Sequence, residues 1–112
     1  MGGRYNFSEP PRTVEITASQ IVAVGKVLVV AESITALAAN CTAIFYSGVD
    51  AAGDVVNRLS VVPNMTIGGT FHHGILFEHG LFAALAGANV AVTISYYTIS
   101  EDREVIPENG SD

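Results

Sequence analysis

Tryptophan is absent from the 112 residues, cysteine occurs once, and lysine and arginine together number five. Each scarcity closes a class of explanation. A single thiol, Cys41, leaves no intrachain disulfide and no thiolate metal cluster to build. Followed by Thr42, Ala43, Ile44 and Phe45, it is expected to serve as a small strand residue. The few cations gather into no stripe, so the electrostatic footing for a phosphate backbone is missing and no nucleic-acid partner is expected. Long hydrophobic runs are missing too. The apolar stretch 21–31 is interrupted by Lys26 and is too short for a bilayer-spanning helix. Residues 1–6 lead into no apolar segment of the secretory kind, so no membrane partner is expected.

What is present points to a packed core. Apolar residues make up 49% of the chain and charged residues 14%, the reverse of a disordered composition. One domain of this length buries a working core without covalent staples. Eleven glycines with few long charged side chains favour short strands and tight turns over solvated helices. The net charge of −6 is lopsided, because Glu101, Asp102, Glu104, Glu108 and Asp112 against Arg103 place −4 of it in residues 101–112. The expected organisation is an N-terminal arm over 1–12, a β domain over 13–100 and a flexible acidic tail over 101–112. Gly2, Gly3, Pro10 and Pro11 keep the arm extended, while Tyr5 and Phe7 give it apolar groups to dock.

Within 13–100 the hydrophobic pattern repeats every second residue, the strand period. Val14 and Ile16 alternate with Glu15. Over 21–31, Val22, Val24, Leu28 and Val30 share a face with Lys26, opposite Ala23, Gly25, Val27 and Val29, and Gly25 suggests a bend. Further strands are expected over 41–46, 55–59, 66–71, 75–77, 81–86 and 90–97. Turn chemistry separates them, at 47–54 and at Pro63-Asn64. Residues 33–39 could instead form one helical turn. Residues 81–88 read better as a strand than as a helix, since Gly80 and Gly87 bracket too short a length. The fold class this implies is all-β, an antiparallel sandwich of jelly-roll or immunoglobulin-like type with roughly seven or eight strands.

Chemistry is sparse. His72, His73, Glu78 and His79 are zinc-ligand types, but in one extended strand positions six apart lie roughly 20 Å from each other. Adjacent His72 and His73 would also point to opposite faces. Asp50 and Asp54 sit in a Gly/Ala turn that favours solvation over acid–base work, and Ala51-Ala52-Gly53 offers calcium no side-chain oxygen. No Gly-x-Ser-x-Gly nucleophile motif occurs, and Gly68-Gly69 is followed by no phosphate-loop lysine. No enzyme, cofactor or metal site is expected. Tyr46, Tyr96 and Tyr97 offer flat amphipathic faces for a sugar. Tyr96 shares the parity of Val92 and Ile94 and belongs to the core, which leaves Tyr97 as the glycan-facing candidate.

Three stretches together resemble small β-sandwich structural proteins of tailed bacteriophages. The first is Ile21-Val22-Ala23-Val24-Gly25-Lys26-Val27-Leu28-Val29-Val30, similar to an opening strand with a Gly-x-Leu kink. The second is Ala43-Ile44-Phe45-Tyr46-Ser47-Gly48 with Ala52-Gly53-Asp54-Val55-Val56, which looks like a tyrosine–turn hairpin. The third is Gly74-Ile75-Leu76-Phe77-Glu78-His79-Gly80-Leu81-Phe82 with the closing strand Val90-Ala91-Val92-Thr93-Ile94-Ser95-Tyr96-Tyr97. Together they cover about residues 16–98. Two features depart from the pattern: Ser47 stands where the group has a turn aspartate, and the histidine-rich stretch is unusual. The resemblance implies a head decoration or cement protein or a minor tail module, and it carries no catalytic residues. The expected partners are therefore the major capsid protein and further copies of the chain, as a homotrimer. Arg4, Tyr5 and Phe7 are the expected contact residues. The expected location is the outer surface of the virion head, after synthesis in the host cytoplasm. The alternative is a tail- or fibre-associated adhesion module that binds host glycans through Tyr97.

Overall fold

The structure, a computed structural model, describes residues 10–99. Arg4, Tyr5, Phe7 and the acidic tail lie outside the described residues. Eight strands and no helix occur among those that are described. They are β1 (Arg12–Ile16), β2 (Gln20–Ala23), β3 (Lys26–Ala36), β4 (Cys41–Ser47), β5 (Asp54–Val61), β6 (Met65–Phe77), β7 (Leu81–Ala86) and β8 (Ala91–Ile99). They form two four-stranded antiparallel sheets, ordered β1-β8-β3-β6 and β2-β7-β4-β5. Only β4 and β5 pair with an immediate chain neighbour; every other connection crosses between the sheets. This is the strand order of a jelly roll, which decides between the two sandwich types the sequence allows.

The core follows the period of two. Val92, Ile94 and Tyr96 of β8, Cys41, Ala43 and Phe45 of β4, and Leu81 and Ala83 of β7 point between the sheets and are buried. Phe45, Phe77, Ile34, Leu81 and Ile94 are the largest fully buried side chains. Each removes on the order of 2–3 kcal/mol worth of apolar surface from water. Cys41 lies within this core, its thiol directed at the carbonyl oxygens of Ala39 and Ala88 at 3.4 and 3.7 Å.

Three departures from the periodic pattern shape the molecule. The stretch 21–31 is not one bent strand: at Val24-Gly25 the chain leaves one sheet as β2 and enters the other as β3. Gly25 has φ +85°, a left-handed conformation that side chains with a Cβ rarely adopt, so the crossing is made where it costs least. Residues 33–39 form no helical turn, because β3 runs through to Ala36. Residues 66–71 and 75–77 belong to the single strand β6, interrupted by a bulge. Val29 pairs with Ile75 and Ala31 with Thr70, so residues 71–74 stand against Val30 alone. Gly74, at φ +79°, lets this bulge close over Leu28; a Cβ there would come within 2.8 Å of the leucine side chain.

Candidate functional site

The bulge between β3 and β6 also resets side-chain direction. Before it, Val27 and Val29 point inward; after it, Glu32, Ile34 and Ala36 do, an even-numbered set. Glu32 is thereby driven into the sandwich and is only 2% exposed. It is the one charged residue type buried among the described residues. A second irregularity, between Phe45 and Tyr46, leaves Val56 of β5 as the extra residue and sets Asn57 and Leu59 inward beside Phe45 and Ala43. Asn57 then meets Glu32 across the gap between the sheets, and its Nδ2 donates to Glu32 Oε1 at 2.6 Å. Glu32 Oε2 and Asn57 Oδ1 are both buried and have no hydrogen-bond partner. Desolvation by burial dominates the titration of this carboxyl, lifting its pKa from 4.5 to about 7 against the opposing pull of the Asn57 bond.

The same layer lies next to β6, the edge strand of its sheet. Register places Gly69, Ile67 and Met65 of β6 beside Glu32, Ile34 and Ala36 of β3. Cross-strand partners share a face, so these three β6 residues belong to the inner face, yet Met65 is 50% and Ile67 36% exposed. The opposite sheet ends at β5 and leaves the inner face of β6 partly uncovered. A Cβ on Gly69 would meet nothing within 4 Å, so the space beside Glu32 on that side is open. Leu37 and Val62, in the turns that flank Met65, are exposed as well. The backbone N–H of Asn64 joins these turns by bonding Ala36 and Leu37 oxygens at 3.0 and 3.2 Å.

The other candidate residues are dispersed. His72 and His73 do not splay to opposite faces, because both lie in the bulge; their rings meet edge-on with centroids 4.3 Å apart. Both are exposed, whereas His79 lies past the end of β6, where its backbone N–H bonds Ser47 Oγ at 3.1 Å. Among the described residues no three His, Cys, Asp or Glu side chains group as a metal site. Asp50 caps its own turn, accepting from the Ala52 N–H at 2.9 Å. Tyr96 is buried, as its parity requires. Tyr97 is half-buried on the outer face of β8, opposite Leu28. Tyr46 belongs to the other sheet and packs on Phe82 with ring centroids 6.1 Å apart. The three tyrosines therefore make no common platform.

The Glu32–Asn57 pair escaped the sequence reading, although one signal was there: Glu32 is the only charged residue between Lys26 and Asp50. No known protein family matches the chain. A search of curated proteins finds no relative either.

Proposed function

We propose that the chain is a structural protein of a virus particle, a decoration or cement protein on the outer surface of a tailed-phage head. The phage assignment rests on the three resembling stretches. What the geometry adds is a docking surface, and one observation carries it: the free edge of β6 over residues 65–70 is bare. No strand pairs with its outer side among the described residues, and Met65-Thr66-Ile67-Gly68-Gly69-Thr70 contains neither charge nor proline. Folded proteins normally blunt such an edge with lysine, proline or a covering segment, because it is a template for another strand. Exposed Met65 and Ile67 supply the apolar contact that a pairing strand alone lacks.

The occupant proposed for this edge is another copy of the chain. An uncharged strand can pair with a copy without setting like charges opposite one another, whereas the strongly acidic remainder of the chain resists self-association. In a trimer at threefold positions of the shell the β6 edge of each copy meets a different edge of the next, since β6 paired with β6 would close as a twofold dimer; such a ring engages several capsid subunits at once and gains avidity from doing so. Jelly rolls serve in capsids and in lectins alike, so the fold itself does not choose between decoration and the adhesion alternative. The test is the mass of the purified protein by light scattering, alone and mixed with empty heads. A trimer that cosediments with heads in a saturable ratio is the expected result. A monomer indifferent to heads overturns the proposal.

A further inference from the structure

Two buried acceptor atoms without partners, one on Glu32 and one on Asn57, belong to side chains already joined by a bond of 2.6 Å. Native interiors seldom leave one such atom unpaired, because its lost hydration is then not made good. An ionised carboxylate accepts only, and the amide oxygen accepts only, so neither can satisfy the other. One added hydrogen solves both shortages. We propose that the folded protein holds Glu32 as the carboxylic acid, its Oε2–H donating to Asn57 Oδ1 while Asn57 Nδ2 donates to Glu32 Oε1. The two side chains then form a closed, doubly hydrogen-bonded ring that pins β3 of one sheet to β5 of the other.

The surroundings favour the neutral acid. Ile94 of β8 flanks Glu32 on one side and the side-chain-free Gly69 of β6 on the other, and Phe45 of β4 stands beside Asn57. The titratable groups on these elements lie elsewhere. On β3, Lys26 is six residues away; on β5, Asp54 and Arg58 are exposed; on β6, His72 and His73 are at the surface of the bulge. On β4, Tyr46 is on the outer face, and on β8 so is Tyr97; Cys41 and Tyr96 face inward but pair with Val61 and Val29 rather than with this layer. No buried cation is present among the described residues to hold a carboxylate in its charged form. The open space beside Gly69, at the molecule's edge, gives a proton a short path to solvent.

The pair is therefore a proton-operated latch between the sheets. Protonated, it closes the side of the sandwich that bears β5 and β6. Losing the proton places a carboxylate oxygen against a buried amide oxygen, and that repulsion is relieved by parting β5 from β3. The inference stands apart from any role in a virus particle, since it concerns the isolated chain.

The test combines a titration with an isostere. Carbon NMR of the Glu32 side-chain carboxyl in the wild-type protein should show a midpoint near 7 rather than near 4.5. Glu32→Gln replaces the acid O–H by an amide N–H and so makes the ring permanent. The wild-type folding constant should fall about tenfold per pH unit between the two midpoints, whereas that of E32Q should not show this fall. The exposed histidines remain in both proteins, so the difference between them isolates Glu32. A midpoint near 4.5 in the folded wild type overturns the proposal, as does a pH dependence of E32Q equal to that of wild type. Should E32Q fail to fold, the wild-type titration decides alone.

Discussion

Glu32 shows how much one inward turn of a side chain can do. Its carboxyl has a raised pKa in the fold, so the unfolded chain releases the proton first as the pH rises. Between about 4.5 and about 7 the native state holds one proton more than the unfolded state, and stability falls with pH across that window. The full loss amounts to about 3 kcal/mol, present in full below the lower value and gone above the upper one. Urea unfolding curves across this range check it; stability that rises through the window would contradict the raised pKa. Cys41 sets a second expectation at this scale. Its thiol is fully buried between the sheets, so a thiol reagent should label it only as fast as the fold opens, and labelling should track the unfolding transition. Rapid labelling of the native protein would mean that the end of the sandwich near Ala39 and Ala88 breathes. Of these two residues only Cys41 was legible beforehand, from its apolar neighbours. The direction of Glu32 was not, because a bulge reverses parity without leaving any mark in the hydrophobic pattern. It is a property of two paired strands, and a single strand's sequence records only one of them.

At the scale of elements, regular alternation was read correctly for β4, β7 and β8, whereas the continuation of β3 over residues 33–36 was not. Residues 41–46 and 90–97 needed only small adjustments to become β4 and β8. Residues 81–86 are a strand, as the bracketing glycines suggest. The passage from β2 to β3 was hidden for a physical reason. Ala23, Val27 and Val29 keep the same parity on both sides of Gly25, so the pattern runs on unbroken while the chain changes sheets. β6 was divided because residues 71–74 break its alternation, although the strand continues beyond them. The bare segment of β6 carries this scale's prediction. Ile67→Lys puts a charge at the rim of the inner face, on a side chain still mostly buried beside Ile34, so it should lower the melting temperature modestly while leaving a folded monomer in place of the oligomer. Light scattering alongside thermal melting checks both halves. An intact oligomer in I67K would place the contact on another edge.

For the whole molecule, the arm supplies the experiment. β1 begins at Arg12, which pairs with Tyr96, so a deletion that spares the sheet must stop before the two prolines. Removing residues 1–9 should leave the fold and its melting temperature intact and abolish cosedimentation with empty heads. Full binding by the shortened protein would shift the contact to the jelly roll itself. The general architecture, two antiparallel sheets over one apolar core, was visible from composition and period. The strand order was not, because which strands neighbour each other depends on contacts between residues far apart in the chain, and periodicity is silent about those.

That strand order has a consequence for how the molecule comes into being. β1 lies against β8, so the first strand made waits for the last before its backbone groups find partners. A ribosome that has released two-thirds of the chain has released only one pair of neighbours able to zip together locally, β4 with β5. β3 can close on β6 once that strand emerges, but β1 and β2 spend the interval as unpaired edges, waiting for β8 and β7. Folding should accordingly be slow for a chain of this size, in the range of milliseconds to seconds that nonlocal β topologies show. The hazard falls during synthesis, when β1 and β2 can still meet strands of neighbouring nascent chains.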